Sequence, residues 1–548
     1  MKIVIVGGVA GGASAATRLR RLNEQAEIIM IERGAHISYA NCGLPYYIGG
    51  AIREQERLTV QSPEGLAARF NIDVRVNNEV TAIDPAAKEV VVKDLISGEQ
   101  YSEAYDKLIL SPGAEPLRPP ISGIDSPGIY TLRTIPDTLA IKQFIEERDA
   151  RKTIVVGGGF IGLEMAENLR ERGLEVVVVE AADQVMAPLD PEMAAMVHDL
   201  LRDKGIDLRL ADGVREFSAG EDGLNVTLQS GVSLSADLVL LAIGVRPDSK
   251  LAKNAGLELG DGGAIKVNAH LQTSSPDIYA VGDAIEVTDF VSGNPTRIPL
   301  AGPANKQGRI AANHICGIAD TYKATQGTAI VKLFAMTIAA TGNNEKQLQR
   351  EGIAYEKSYT HSGSHAGYYP GATPLSAKLL FAPDDGKILG SQIVGYQGTD
   401  KRIDVLATAL RAGLTVYDLE ELELAYAPPF SSAKDPVNMA GYVAANMLNG
   451  HHPVIHWHEL DDLDQEQVLL LDVRSREEHQ LGALPNSVLV PLDQLRSHLH
   501  ELPRDREIIV YCQIGQRGYL AARMLAQAGF KVRNLSGGYV TYRYGISE

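Results

Sequence analysis

The chain has 548 residues, 45% of them hydrophobic and 22% charged, the proportions of a folded globular protein but too long for one core, so about three to four domains are expected. Its formal net charge of -17 leaves no large basic face and argues against a nucleic-acid partner. Three cysteines cannot build a disulfide framework at this length, which points to a reducing compartment, the cytoplasm by default, and to cysteines kept for reactivity.

The first stretch, "MKIVIVGGVAGGASAA", imitates a secretory signal, but four glycines interrupt its apolar run. It reads better as a strand, a glycine turn and a helix, and the next strand, "AEIIMIE", ends in Glu32. Gly7 and Gly12 take the outer positions of a GxGxxG turn and Val9 stands in the middle one, with Gly8 and Gly11 as partial compensation. Glu32 follows Gly12 by 20 positions, where an acid grips an adenosine ribose. Arg18 and Arg21 lie three residues apart and so share a face of the helix, which by itself reads as a solvated basic surface.

The segment "ISYANCGLPYYIGG" then brings Cys42, with no second cysteine nearby, ahead of an expected helix whose N-terminus would stabilise a thiolate. A second strand, turn and helix, "KTIVVGGGFIGLEMAENLRERG", carries the full glycine pattern in Gly157, Gly159 and Gly162, and "LEVVVVE" ends in Glu180. Glu180 suits both hydroxyls of a ribose, and the following "AADQ" offers no arginine for a 2'-phosphate, so NADH is expected, with NADPH the alternative. Cys316, in the apolar "RIAANHICGIAD", is expected to pack in a core. From about Thr325 strands and helices mix as in an α+β domain, and "HHPVIHWHEL" reads as a linker. The tail alternates short apolar strands with helices, as in a small α/β domain, and places Cys512 and Arg517 in a loop, "YCQIGQRG", suited to a sulfur anion. No apolar run reaches the ~18 residues of a membrane span, so no membrane partner is expected, and no metal site is expected.

"TSSPDIYAVGDA", with Asp283, resembles the second flavin motif of flavoproteins with two dinucleotide-binding domains, and "LILSPGAEP" and "LLAIGVRPDS" resemble their crossings between FAD and NAD domains. The resemblance implies two Rossmann-like α/β domains, with FAD bound by Gly7, Gly8, Val9, Ala10, Gly11, Gly12, Glu32, Arg33 and Asp283. It places the FAD domain at 1–112 and 245–324, the NAD(P)H domain at 113–244 and an α+β dimerisation domain at 325–450, so a homodimer is expected.

"SYANCGLPY" resembles the active segment of coenzyme A disulfide reductases, a motif loosely shared with flavin NADH oxidases and peroxidases. The resemblance implies a single redox cysteine, Cys42, that either forms a mixed disulfide with a small thiol such as CoA or cycles as a sulfenic acid. It further implies CoA contacts at Ser14, Arg18, Arg21, Ser38, Asn41, Asn305 and Lys434, and a catalytic tyrosine, Tyr426, reaching across a dimer interface. A second tyrosine comes from "HAGYYPGA", as Tyr368 or its neighbour Tyr369.

The loop from Cys512 to Arg517, with "LLLDVRSREEH" before it and "NLSGGY" after it, resembles a rhodanese domain, placed at 463–548 behind a linker at 451–462. Phosphatase-like relatives use a similar loop, but one residue longer. Cys512 is then a carrier of sulfane sulfur, and Asp472 and Arg474 brace the fold. The expectation for the whole is an NADH-dependent flavoprotein reducing persulfides and polysulfides, CoA persulfide among them, and CoA disulfide; the alternatives are a CoA disulfide reductase with an independent sulfurtransferase domain, or an NADH oxidase or peroxidase using a cysteine sulfenic acid.

Overall fold

The apolar strands that precede the two glycine turns are the central strands of two parallel sheets in the computed structural model, which describes residues 1–220, 223–464 and 466–546. The final two positions of the expected last domain, and position 465, lie outside the described residues. The chain divides into two units, Met1–Asp183 with Gly205–Thr325, and Gln184–Lys204 with Gln326–Glu548.

In the first unit, Lys2–Val6 is flanked by Glu27–Glu32 and Lys107–Leu110, and Ile278–Ala280 and Asp73–Val76 form the edges. Ile3, Val4 and Ile5 are fully buried, as a strand covered on both faces must be. The second sheet repeats the arrangement, with Lys152–Val156 between Glu175–Val179 and Leu238–Leu241. An antiparallel three-stranded sheet accompanies each, over Asn78–Ala104 and Val214–Ala236. Both turns use the same geometry. Gly7 and Gly157 adopt φ of 96° and 111°, and a Cβ on Gly12 or Gly162 would lie 1.9 or 2.0 Å from the carbonyl oxygen of Gly7 or Gly157. Cys316 follows the helix Ala301–Ile315 and is partly buried against the first sheet's core.

In the second unit a five-stranded antiparallel sheet, ordered Ala329–Leu333, Met336–Gly342, Ile388–Gly395, Pro374–Phe381 and Glu356–Gly363, carries the helices Thr399–Ala412 and Pro436–Leu448. A buried charge cluster joins this sheet to the helix Pro191–Asp203. Lys378, wholly inaccessible, pairs with Asp190 at 2.8 Å and with Glu192 and Glu345, and Glu345 also accepts from Lys357 at 2.6 Å. The three carboxylates lie close enough to hold a metal ion, but the Lys378 ammonium supplies the cation among them. Glu345 is held low, at about 2, because its two lysines outweigh burial, whereas Asp190 is pushed up by burial and by its acidic neighbours.

The tail forms a parallel sheet, ordered Val454–Ile455, Val532–Leu535, Glu507–Tyr511, Val468–Asp472 and Val488–Leu489. The segment 451–462, read from sequence as a linker, is therefore the start of this sheet: Val454 and Ile455 pair with Asn534 and Leu535. Two of its four histidines, His452 and His456, are buried, whereas His451 and His458 are exposed. His456 is 9% exposed and its ring meets Tyr359 edge-on, while His452 faces the Asn534 amide at 2.9 Å. His361 bridges Ser376 and Thr541 at 2.8 and 2.9 Å, tying the tail to the antiparallel sheet.

Burial drives His361 and His452 down to about 4 and His456 to about 3. As pH falls from about 6.5 toward 4, the unfolded chain takes up these protons and the folded unit does not, so stability drops by up to ~1.4 kcal/mol per pH unit for each histidine. Trp457, the one tryptophan in the sequence, lies between two of the clustered histidines and reports the transition by fluorescence. The urea midpoint read from Trp457 should fall steeply between pH 6.5 and 4.5, and a flat profile would show that these imidazoles exchange protons freely.

Candidate functional site

A cleft of about 940 Å³ in the first unit runs from Glu32 past the first glycine turn to Asp283 and Cys42. That is at the upper end of ligand cavities, roughly 300–1,000 Å³, and suits a long dinucleotide. Both Glu32 oxygens accept backbone N–H groups, from Gly8 at 2.9 Å and Gly34 at 2.8 Å, which fixes the carboxylate and leaves lone pairs for a ribose diol. Val9 caps the helix Ala10–Leu22 with a negative φ, so the missing middle glycine costs no strain there. Gly8 must stay small, since a Cβ would come within 2.6 Å of Ile37. Arg33 pairs with Asp248 at 3.1 Å. The residues present fit FAD: a fixed acid for its ribose, a close-packed glycine turn for its pyrophosphate and Asp283 further along the cleft.

Glu180 repeats the Glu32 arrangement, accepting from Gly158 at 2.7 Å and Ala182 at 2.9 Å. A Cβ on Gly159 would meet nothing within 4 Å, so the space above the second turn is open.

Cys42 is placed by a pinned backbone. Ser38, at φ 45°, donates its N–H to the Gly8 carbonyl at 2.8 Å, and Ala40 and Val60 donate theirs to the carbonyls of Leu58 and Ser38. The helix begins at Leu44, with Pro45 in its first turn, and runs six residues to Gly49, so Cys42 sits in the preceding 3-10 turn Asn41–Gly43. The expected thiolate stabilisation is reversed. The residue is exposed, but the cleft walls crowd its sulfur, and this desolvation, followed by the Glu164 and Asp283 carboxylates, pushes the thiol up against opposition from backbone N–H and Arg133.

Three residues of this site were not singled out from the sequence. Arg133 pairs with Asp283 at 3.1 Å, and Tyr46 donates to Glu164 at 3.1 Å, a carboxyl raised by burial. Glu164 lies two residues after Gly162, the last glycine of the second pattern, on the helix Phe160–Glu171, a readable position; the other two carry no local signal. Replacing Glu164 by glutamine removes a negative charge near Cys42 and so lowers its thiol pKa. Alkylation of Cys42 at pH 8 should accelerate roughly two- to fivefold, as measured by iodoacetamide labelling, and an unchanged rate would show that Glu164 is already neutral.

Ser14 donates to Asn305 and both line the cleft, as do Ser38 and Asn41. Arg18 is tethered to Asn313 at 2.7 Å, whereas Arg21 is exposed and Arg20 is buried on backbone carbonyls.

In the second unit the hydroxyls of Tyr368 and Tyr426 meet at 2.7 Å, both side chains exposed, while Tyr369 packs edge-on against His365. Tyr368 is thus the member of the pair that joins Tyr426. Lys434 is exposed on the loop before the helix Pro436–Leu448.

Cys512, fully buried, follows the strand Glu507–Tyr511 and opens the loop into the helix Gln516–Gln527. Tyr539 and Val540 N–H groups hold the loop carbonyls of Cys512 and Gln513. Arg517 is bidentate to Glu478, and Arg474 is bound to Asp472 and to the Gly482 carbonyl, with one further bond to Gln513 at 3.0 Å. Arg474 therefore braces the fold and also touches the loop.

Three family models cover the chain: pyridine nucleotide-disulphide oxidoreductase over residues 1–308, its dimerisation domain over 328–436 and a rhodanese-like domain over 457–543. A coenzyme A disulfide reductase of Staphylococcus haemolyticus is 39% identical over 447 residues, 81% of this chain and 100% of that protein. An NADH oxidase of Methanocaldococcus jannaschii is 36% identical, over 82% of this chain and 100% of that one. The crystal structure of reduced Bacillus anthracis CoADR-RHD matches with TM-score 0.98 at 54% identity, over 99% of this chain and 98% of that one. A NAD-dependent persulfide reductase from A. fulgidus matches with TM-score 0.93 at 38% identity, over 99% and 100%.

Proposed function

The chain belongs to the pyridine nucleotide-disulphide oxidoreductase family and ends in a rhodanese domain, and on that premise we propose that it is an NADH-dependent reductase of persulfides and polysulfides, CoA persulfide among them. The observation that carries the reading is the lone thiol: Cys42 opens onto the dinucleotide cleft, and all three cysteines are free among the described residues. Its partner sulfur must arrive with the substrate.

FAD, when bound, supplies two electrons drawn from NADH. The Cys42 thiolate attacks the terminal sulfur of CoA–S–SH, its S–S bond breaks, and CoA leaves as thiolate. Two electrons then cleave the S–S bond of the Cys42 persulfide, whose terminal sulfur keeps its proton, releasing hydrosulfide and restoring the thiolate. Ser14, Ser38, Asn41, Asn305, Arg18, Arg21 and Lys434 are assigned to the CoA moiety. In a homodimer, Tyr426 with Tyr368 serves the thiol site of the second copy, donating a proton to the leaving thiolate. Glu180 favours NADH over NADPH through repulsion of a 2'-phosphate. Cys512 loads or relays sulfane sulfur, with CoA as its carrier, in a reducing, cytoplasmic setting.

The test is the ratio of kcat/KM values for CoA persulfide, CoA disulfide and oxygen under NADH. A ratio of at least about ten in favour of the persulfide is expected. Preference for CoA disulfide would make the rhodanese domain an independent sulfurtransferase, and rapid oxygen or peroxide turnover would support a Cys42 sulfenic acid, as the similarity to an NADH oxidase suggests.

A further inference from the structure

The cations at the sulfur-carrying loop are already neutralised. Arg517, the second residue of the helix after the loop, gives Nη1 to Glu478 Oε2 at 2.8 Å and Nη2 to Glu478 Oε1 at 2.6 Å. Glu478 is itself fixed, since its Oε2 accepts the Ser475 N–H at 2.9 Å and its own N–H donates to the Ser475 hydroxyl at 3.2 Å, a capping box on the helix Arg476–Gln480. Arg474, the other guanidinium at the loop, is bidentate to buried Asp472. The Arg517 cation is favoured first by Glu478 and also by the Cys512 sulfur, so the same guanidinium faces both. A fork held this way can orient a sulfur atom but contributes no uncancelled positive charge.

We propose that Glu478 is a positioning residue that sets donor selectivity at Cys512, cancelling the Arg517 charge so that the loop takes sulfur from organic persulfides and disfavours dianionic donors such as thiosulfate. The inference rests on Cys512 being the sulfur acceptor. The Cys512 thiolate attacks the terminal sulfur of R–S–SH, a Cys512–S bond forms, the donor S–S bond breaks and its electron pair leaves on R–S⁻. The proton stays on the transferred sulfur, and nothing is oxidised or reduced overall. With thiosulfate the same attack adds the thiolate charge to the donor's two, and no free cation at the paired arginines offsets them.

The experiment uses the full-chain holoenzyme without NADH, exposed to glutathione persulfide or to thiosulfate, with the persulfide on Cys512 quantified by alkylation and peptide mass spectrometry over time. Wild-type protein should load at least about tenfold faster from glutathione persulfide. Glu478→Gln, which keeps the capping box, should raise the thiosulfate rate about tenfold and leave the glutathione persulfide rate within about threefold. Equal loading of the wild type by both donors overturns the inference without any variant. So does a parallel shift of both rates in Glu478→Gln, the mark of a merely structural residue. Loading from neither donor removes the sulfur-carrying role of Cys512 and the inference with it, whereas loading from both without charge selectivity removes the inference alone.

Discussion

Cys42→Ser will reduce NADH-dependent turnover of CoA persulfide and CoA disulfide by at least about a thousandfold, because serine cannot form the sulfur–sulfur bond on which the proposed reaction depends. The substitution changes one atom in a backbone pinned by Gly8, Leu58 and Ser38, so the cleft from Glu32 to Asp283 should keep its shape. NADH oxidation by a one-electron dye, which needs no thiol, should therefore stay within about threefold of wild type. Cys316→Ser, in a side chain packed against the first sheet, is the control and should leave disulfide turnover unchanged. Persulfide turnover above a tenth of wild type in Cys42→Ser would place the chemistry on another group.

The largest effect on stability is expected at Lys378. Replacing it by methionine fills the same space but leaves Asp190, Glu192 and Glu345 in a buried site with Lys357 as the remaining ammonium, reaching Glu345. Breaking a buried ion cluster by removing one partner costs about 3–5 kcal/mol, a large part of the 5–15 kcal/mol available to a domain. The sign of its pH dependence is diagnostic. In the variant the native carboxylates have pKa values raised above their unfolded ones, so stability is retained at low pH and lost as pH rises through those values. Urea unfolding of Lys378→Met should show a deficit that shrinks from pH 8 to pH 5, although the buried histidines lower both proteins over the same range. A small deficit independent of pH would mean that the lysine's own desolvation balances its three partners.

What the sequence made legible follows from how far each interaction reaches along the chain. The two glycine turns and the acids that end the next strands are local patterns, and Glu32 and Glu180 meet the neighbouring amides as the strand, turn and helix order requires. The parallel and antiparallel sheets likewise follow from alternation of short apolar runs. Residues that act through distant partners carried no such pattern. Arg133 and Asp283 are 150 positions apart, and Lys378 and Glu192 are 186 apart. Lys378 lies in "PLSAKLLF", where a lysine reads as a solvated interruption of an apolar strand. Tyr368 and Tyr369 occupy a turn with no side-chain periodicity, so only the hydroxyl contact with Tyr426 separates them. The raised Cys42 thiol is illegible for a different reason: the helix after it is visible, but the crowding of its sulfur by the cleft walls, and after it the Glu164 and Asp283 carboxylates, come from remote segments.

The central claim is that Cys42 receives its partner sulfur from the substrate, and acid-quench mass spectrometry of the Cys42 peptide tests it most directly. Enzyme reduced with one equivalent of NADH is mixed with CoA persulfide or with CoA disulfide, quenched within a turnover and digested without reductant. The account predicts one added sulfur on Cys42 with the persulfide and a disulfide-linked CoA with the disulfide, both absent after thiol reduction. A Cys42 that passes through turnover as a free thiol, or carries only added oxygen, would contradict it.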